Sequence, residues 1–212
     1  MENFDRSKHW ETIYQTKALE EVSWFQQVPE TSLGFLEELG IPKTAKIIDI
    51  GGGDSFLVDN LLALRYQDIT VLDISAAALE RARQRLGERA GQVKWIVADA
   101  ATFQPTETYD FWHDRAAFHF LTQDNEIKNY LTTASKSIKP GGILVVGTFS
   151  ENGPKVCSGI TIKQYSETLL TEKLGGYFEK IRCRTVDHRT PFDTVQNFLF
   201  CSFRRSMSYI NG

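Results

Sequence analysis

From Lys46 onward the chain repeats one pattern, a short β-branched run followed by a longer stretch with helical spacing. KIIDI (46–50), DITVLDI (68–74), VKWIVAD (93–99), YDFWHD (109–114) and ILVVGTF (143–149) read as strands. SFLVDNLLALRYQ, SAAALERARQRLGERAG and DNEIKNYLTTASKSIKPGG read as helices between them. Strands alternating with helices run parallel, because each crossover returns the chain to the same end of the sheet. Such a sheet is covered on both faces, which makes the expected class α/β and doubly wound. Pro140-Gly141-Gly142 should stop the preceding helix and turn the chain into the fifth strand. The pattern then breaks. After a helical stretch at 163–174, YFEKIRCRTVDHRT (177–190) and VQNFLFCSFRR (195–205) are separated only by PFDT. Four residues cannot make a parallel crossover, so the last two strands pair antiparallel.

With 212 residues, 42% of them hydrophobic, the chain suits one domain with a sizeable core, 1–212, whose first 45 residues form a helical extension before the sheet core of 46–212. Helical patterns near 4–14 and 32–39 belong to that extension. A net charge of -3 provides no basic field for nucleic acid or an anionic membrane. No apolar stretch approaches the about 18 residues of a membrane helix, and MENFDRSKHWETIY has no signal-peptide core. Cys157, Cys183 and Cys201 are odd in number and lack a CxxC pair, which suggests neither a disulfide framework nor a zinc site and favours a reducing, cytoplasmic setting. Cys183 and Cys201 alternate with apolar residues and read as core. In the second helix Ala78, Leu79, Ala82 and Leu86 share a face, and the charges around them (Glu80, Arg81, Arg83, Arg85) read as a solvated surface.

The first strand ends in Asp49-Ile50-Gly51-Gly52-Gly53-Asp54-Ser55. A strand that ends in glycines and opens a helix admits a ligand close to backbone and to free helix N–H groups. Gly51 and Gly53 begin G-x-G-x-x-G, but position 56 is Phe, so the dinucleotide fingerprint fails; no Gly-Lys-Ser/Thr follows, so the P-loop fails too. Asp73 ends the second strand, where an acid can accept both hydroxyls of a ribose, and Asp99 ends the third, within reach of an adenine amino group. Each alone is a common turn or cap residue. Together they converge on the crevice where open α/β sheets bind ligands. No lysine or arginine lies between Ile47 and Asn60, which favours a cationic ligand over a pyrophosphate.

The run IIDIGGGDS, VLDIS, VADA, YDFWHD and KPGGILVVGTF, in that order, resembles the class I S-adenosylmethionine-dependent methyltransferases over Lys46 to Phe149. HWETIY, EVSWFQ, GGGDSFLVD and WHDRAAFHFLT further resemble a subgroup of small bacterial methyltransferases. The resemblance implies a Rossmann-like seven-stranded sheet of order 3-2-1-4-5-7-6 with strand 7 antiparallel, and S-adenosylmethionine as methyl donor, leaving as S-adenosylhomocysteine. It places Asp49, Gly51 and Gly53 at the methionine portion, Asp73 at the ribose, and Asp99 with the Ala100 amide at adenine, with Ile74 also among the donor-binding residues. Ser55 stands where the family commonly has a third glycine; it tightens the loop or adds a hydroxyl near the donor. Tyr14 and Trp24 of the extension are raised to pocket residues, as part of an aromatic lid suited to a sulfonium.

Methyl transfer needs alignment, exclusion of water and, for some acceptors, removal of a proton. The segment 112–119 should face the acceptor. His119 is the candidate general base, or else a residue packed between Phe118 and Phe120. Arg115 clamps an anionic group or pairs with Asp114. Asp114 binds the donor's ammonium group or acts on the acceptor, the first being favoured. Cys157 is a reactive thiol or a small buried residue, and capture of an arsenic-like acceptor by thiolates is a minor alternative. The leading expectation is methylation of a small molecule, without metal. The alternatives are a protein lysine methyltransferase and a module that binds S-adenosylmethionine without turnover. A nucleic-acid acceptor is disfavoured, because the fourth strand ends in HDRA rather than the Asn/Asp-Pro-Pro-aromatic run of nucleobase amino-group methylases.

Overall fold

A computed structural model describes residues 4–206; the first three residues of the N-terminal reading and the last six of the expected domain lie outside the described residues. In chain order the elements are α1 (Arg6–Thr16), α2 (Glu30–Glu38), β1 (Lys46–Ile50), α3 (Leu57–Ala63), β2 (Asp68–Asp73), α4 (Ala76–Leu86), β3 (Val93–Val97), β4 (Tyr109–Arg115), α5 (Asp124–Ser137), β5 (Ile138–Phe149), β6 (Val156–Cys157), β7 (Ile160–Thr161), α6 (Glu167–Leu174), β8 (Phe178–Arg189) and β9 (Val195–Arg205). Seven strands form one sheet of order β3-β2-β1-β4-β5-β9-β8, and β6 and β7 make a separate small hairpin. The pairs β1–β2, β2–β3, β1–β4 and β4–β5 are parallel, whereas β9 is antiparallel to both β5 and β8. The expected order and the single antiparallel strand are therefore observed, with β8 and β9 as the last two strands of the sheet.

Strand alternation divides the core in two. Ile47, Val71, Phe111, Val145, Phe149, Phe198 and Phe200 face one side, where Phe35 of α2, Leu57 and Leu61 of α3, and Leu79 of α4 pack on them. Ile48, Ile50, Leu72, Trp112, Leu144 and Val146 face the other, under Ile127, Tyr130 and Leu131 of α5 and Leu170 and Leu174 of α6. This parity decides which side chains at the strand ends can meet.

Two expectations need correction. α5 ends at Ser137, and Pro140-Gly141-Gly142 lies inside β5 rather than before it; Ile138 already pairs with Tyr109, and the register shifts between Tyr109 and Phe111 take up the irregular segment. Cys183 and Cys201 are register partners on β8 and β9 and form a disulfide. Their pairing removes the argument from unpaired cysteines for a reducing compartment, and it leaves no set of three thiolates for an arsenic-like acceptor. Among the described residues no helix is long and apolar enough to cross a membrane.

Candidate functional site

The chain leaves β1 toward β2 and β3, then returns to β4 on β1's other side, so the carboxyl ends of β1 and β4 splay apart at a switch point. A cleft of about 1050 Å3, counted to its open mouth, lies there. The glycine turn forms its floor. Gly51 has φ +65 and Gly53 φ +48, in the left-handed region open to glycine. A Cβ on Gly52 would fall 2.6 Å from Asp49 Oδ2, and one on Gly53 would fall 3.0 Å from Asp73 Oδ2 and 2.8 Å from the Tyr14 hydroxyl. What crowds the glycines, then, is in part the protein's own carboxylates. Ser55 Oγ accepts the Leu57 amide hydrogen at 3.1 Å, so it tightens the entry to α3 while still lining the cleft.

Asp49, Asp73 and Asp99 all open on this cleft, as do Gly51, Ile74, Ala100, Tyr14 and Trp24; Gly53 sits behind its wall. Asp73 is buried and its Oδ1 accepts from the Ser75 amide at 2.8 Å. Burial raises its pKa to about 7. Asp99 Oδ1 accepts from the Ala101 amide at 2.8 Å, and Arg6 reaches both carboxylate oxygens at 3.3 Å while also pairing with Glu126 at 2.5 Å.

α1 closes over the cleft as the helical lid. Its Glu11 carboxylate accepts from Ser75 Oγ at 2.7 Å and the Ala77 amide at 3.2 Å, which caps α4 from outside and fixes the lid to it. Arg81 of α4 donates to the Tyr14 and Lys17 carbonyls at the lid's other end. Trp10 meets Phe120 edge-on at 5.1 Å and Trp24 at 5.7 Å, giving the lid an aromatic underside. α4's charges are accordingly more than a solvated surface, which corrects the sequence expectation. Arg85 donates to the Asp54 and Ser55 carbonyls at 2.7 and 2.9 Å and pairs with Asp59, so it braces the glycine turn from outside; Glu80 and Arg83 are the solvent-facing members.

Parity sorts the end of β4. His113 and Arg115 project to the cleft face, and Asp114 to the other. Asp114 is fully buried outside the cleft wall, where Oδ1 accepts the Ala117 and Phe118 amides at 3.0 Å each and Oδ2 accepts the Tyr130 hydroxyl at 2.7 Å. Burial raises its pKa to about 6. The expected contact with the donor's ammonium group is therefore corrected, and so is the expected alternative pairing with Arg115, since Asp114's lone pairs serve the turn after β4. Arg115 donates through Nη1 to the Trp24 carbonyl at 3.1 Å.

His119 does not line the cleft. It lies in a turn of 3-10 helix, stacked on Phe149 with ring centres 4.6 Å apart, and its Nδ1 accepts the Phe149 amide hydrogen at 3.2 Å. Burial, followed by the nearby Arg115 charge, lowers its pKa to about 3. A neutral imidazole has one lone pair for a proton, and here Phe149 occupies it. That geometry corrects the expectation of a base at His119 and supports the packing alternative.

Two residues that the sequence expectations gave no role of their own, His113 and Ser32, stand in the wall. His113 Nδ1 lies 2.7 Å from Asp49 Oδ1, and His113 Nε2 lies 2.9 Å from Ser32 Oγ of α2. The carboxylate only accepts, so Nδ1 donates and the imidazole is fixed between acid and hydroxyl. Cys157 also borders the cleft; burial raises its thiol pKa to about 11, so it stays protonated.

Residues 47–142 match the family model described as a methyltransferase domain. Nodulation protein S of Rhizobium tropici is 26% identical over 113 residues, covering 53% of this chain and 47% of that protein. The eEF1A lysine and N-terminal methyltransferase of Mus musculus is 25% identical over 147 residues, covering 68% of this chain and 20% of that protein. The chain thus spans about half or less of these curated relatives. Among solved structures, N-methyltransferase NodS from Bradyrhizobium japonicum WM9 in complex with S-adenosyl-l-homocysteine is similar at TM-score 0.70 and 18% identity, covering 95% of this chain and 99% of that one. At that identity the likeness is one of fold.

Proposed function

We propose that the chain is an S-adenosylmethionine-dependent methyltransferase acting on a small molecule. The observation that carries this reading is the convergence of Asp49, Asp73 and Asp99, ends of adjacent strands, on one cleft floored by the glycine turn. In this reading Asp73 accepts the ribose hydroxyls, with Ile74 beside it, and Asp99 and the Ala100 amide hold adenine. Asp49, the Gly51–Gly53 turn and Ser55 hold the methionine portion. The residues suit the ligand's chemistry: carboxylates for an ammonium and a sulfonium, and the aromatic faces of Trp10, Tyr14 and Trp24 to cover the cation. When bound, S-adenosylmethionine supplies a methyl group already activated for displacement. The lid excludes water, and the walls align the acceptor. The Ser32 hydroxyl, bordering the cleft and backed by His113 and Asp49, is positioned to pass on a proton that an acceptor releases.

The aromatic-walled cleft, covered by the lid helix, favours a small acceptor. The named lysine methyltransferase relative supports a second reading, a protein lysine acceptor, but Arg115 in the wall would repel an incoming ammonium group. Isothermal calorimetry should show binding of S-adenosylhomocysteine that Asp73→Ala largely removes; NAD binding in its place would overturn the reading. Incubation with methyl-labelled donor and separated small-molecule and protein extracts would divide the two acceptor classes, and labelling of neither would favour a module that binds without turnover.

A further inference from the structure

Arg115 is the last residue of β4, and its side chain enters the cleft on the side away from Asp73 and Asp99. Its guanidinium lies over the Phe198 ring, 5.2 Å from the ring centre. Nη1 donates to the Trp24 carbonyl at 3.1 Å, but Nη2 is sealed from solvent and has no hydrogen-bond partner. The other arginines at the cleft and its glycine turn all have carboxylates: Arg6 has Asp99 and Glu126, Arg81 has Asp54, and Arg85 has Asp59. Among the described residues, no carboxylate lies within ion-pair distance of Arg115. Its apolar setting lowers its pKa to about 10, and the Asp49 charge only partly offsets this.

A guanidinium held among aromatic rings with a donor unused is costly for the fold on its own. Such an arrangement is stable when an anion arrives with the ligand. Resting on the methyltransferase reading, we propose that the acceptor is an organic acid whose carboxylate pairs with the Arg115 guanidinium, with its carbon skeleton against Trp24, Phe149 and Phe198. The location separates this group from the donor's own carboxylate. β4 lies between β1 and β5, and Phe198 belongs to β9 beyond β5, so the guanidinium points toward the β5–β9 side. The donor's three acids lie on β1, β2 and after β3.

The test uses the whole chain saturated with S-adenosylhomocysteine and three acids, phenylacetate, 4-hydroxybenzoate and hexanoate, each against its amide, with binding followed by ligand-observed NMR. At least one acid should bind about ten-fold or more tightly than its amide, the ratio for one charge-assisted hydrogen bond. Arg115→Gln should remove that preference while leaving S-adenosylhomocysteine affinity within about two-fold, and Arg115→Lys, which keeps the charge without the fork, should restore part of it. The proposal is overturned if no acid outbinds its amide in the unaltered protein, or if the preference survives Arg115→Gln. It is also overturned if Arg115→Gln weakens S-adenosylhomocysteine, which would assign the guanidinium to the donor's carboxylate. Failure of the unaltered protein to bind S-adenosylhomocysteine would instead overturn the methyltransferase reading.

Discussion

Asp49 Oδ1 and His113 Nδ1 lie 2.7 Å apart across β1 and β4, where the two residues are register partners. The contact makes one carboxylate serve the fold and the cleft together. His113 takes one oxygen, and the other lies toward the Gly52 position of the turn. Ser32 on α2 completes the chain at 2.9 Å, so α2, β4 and β1 are tied by two buried hydrogen bonds.

Ser32→Ala tests the far end of that chain. Loss of one buried hydrogen bond that leaves His113 Nε2 unpaired should cost about 1–3 kcal/mol. For a chain of this length that is a fall in melting temperature of a few to about 12 °C. S-adenosylhomocysteine affinity should hold. Turnover with an identified acceptor that releases a proton should fall about 10²-fold or more if Ser32 passes that proton on; an unchanged rate would leave the chain purely structural.

Asp114→Asn and Tyr130→Phe test a carboxylate that serves the turn after β4. Trp112 Nε1 donates to the Tyr130 hydroxyl at 2.9 Å, and that hydroxyl donates to Asp114. Tyr130→Phe should cost about 1.5–3 kcal/mol, the range for a hydrogen bond to a charged group, in denaturant unfolding. Neither substitution should change S-adenosylhomocysteine affinity by more than a few-fold in calorimetry. A loss near that of Asp73→Ala would return Asp114 to the donor site.

The sheet was legible because alternation of β-branched runs with helical stretches leaves few topologies, and because PFDT is too short for anything but a hairpin. Asp49, Asp73 and Asp99 were legible for a related reason, since each stands at or just past the end of a parallel strand. The misreadings share a cause: each needed a register that sequence spacing does not supply. Asp114 was grouped with Arg115, yet neighbours on a strand face opposite sides, and the same parity would have brought out His113 instead. Cys183 and Cys201 each lie six residues from the hairpin's closing pair, Arg189 and Val195, so their pairing depends on where the turn closes. For Arg85, a helical face is readable from spacing, but its packing against the glycine turn is a tertiary fact.

His119→Gln should leave turnover within a few-fold of the unaltered protein, because the cleft does not contain the imidazole. A fall of 10²-fold or more would reinstate it as the base. Its effect should appear in stability against acid. The folded protein holds His119 neutral to a pKa of about 3, below the ordinary 6.5, so the unfolded chain binds the extra proton between those values. The contribution is complete above about pH 6.5 and is lost as pH falls toward 3. Denaturant titrations at pH 5 and 7 should show a smaller pH-dependent loss in the variant.

Asp73 has the opposite sign and a functional readout. Its folded pKa of about 7 is above the ordinary 3.8, so the folded protein binds the extra proton between those values. Asp73 therefore favours the ligand-free fold at low pH, and that contribution is lost as pH rises through about 7. Ligand binding runs the other way, because accepting two ribose hydroxyls requires the ionised carboxylate. At pH 6 about one molecule in ten carries that form, and at pH 8 about nine in ten, so S-adenosylhomocysteine affinity should rise about ten-fold between them and level off above. Calorimetry at pH 6, 7 and 8 in buffers of different ionisation enthalpy should also detect the proton released on binding at pH 6. Asp73→Asn should bind weakly with no such slope; a ten-fold slope that survives the substitution would place the titrating group elsewhere in the cleft.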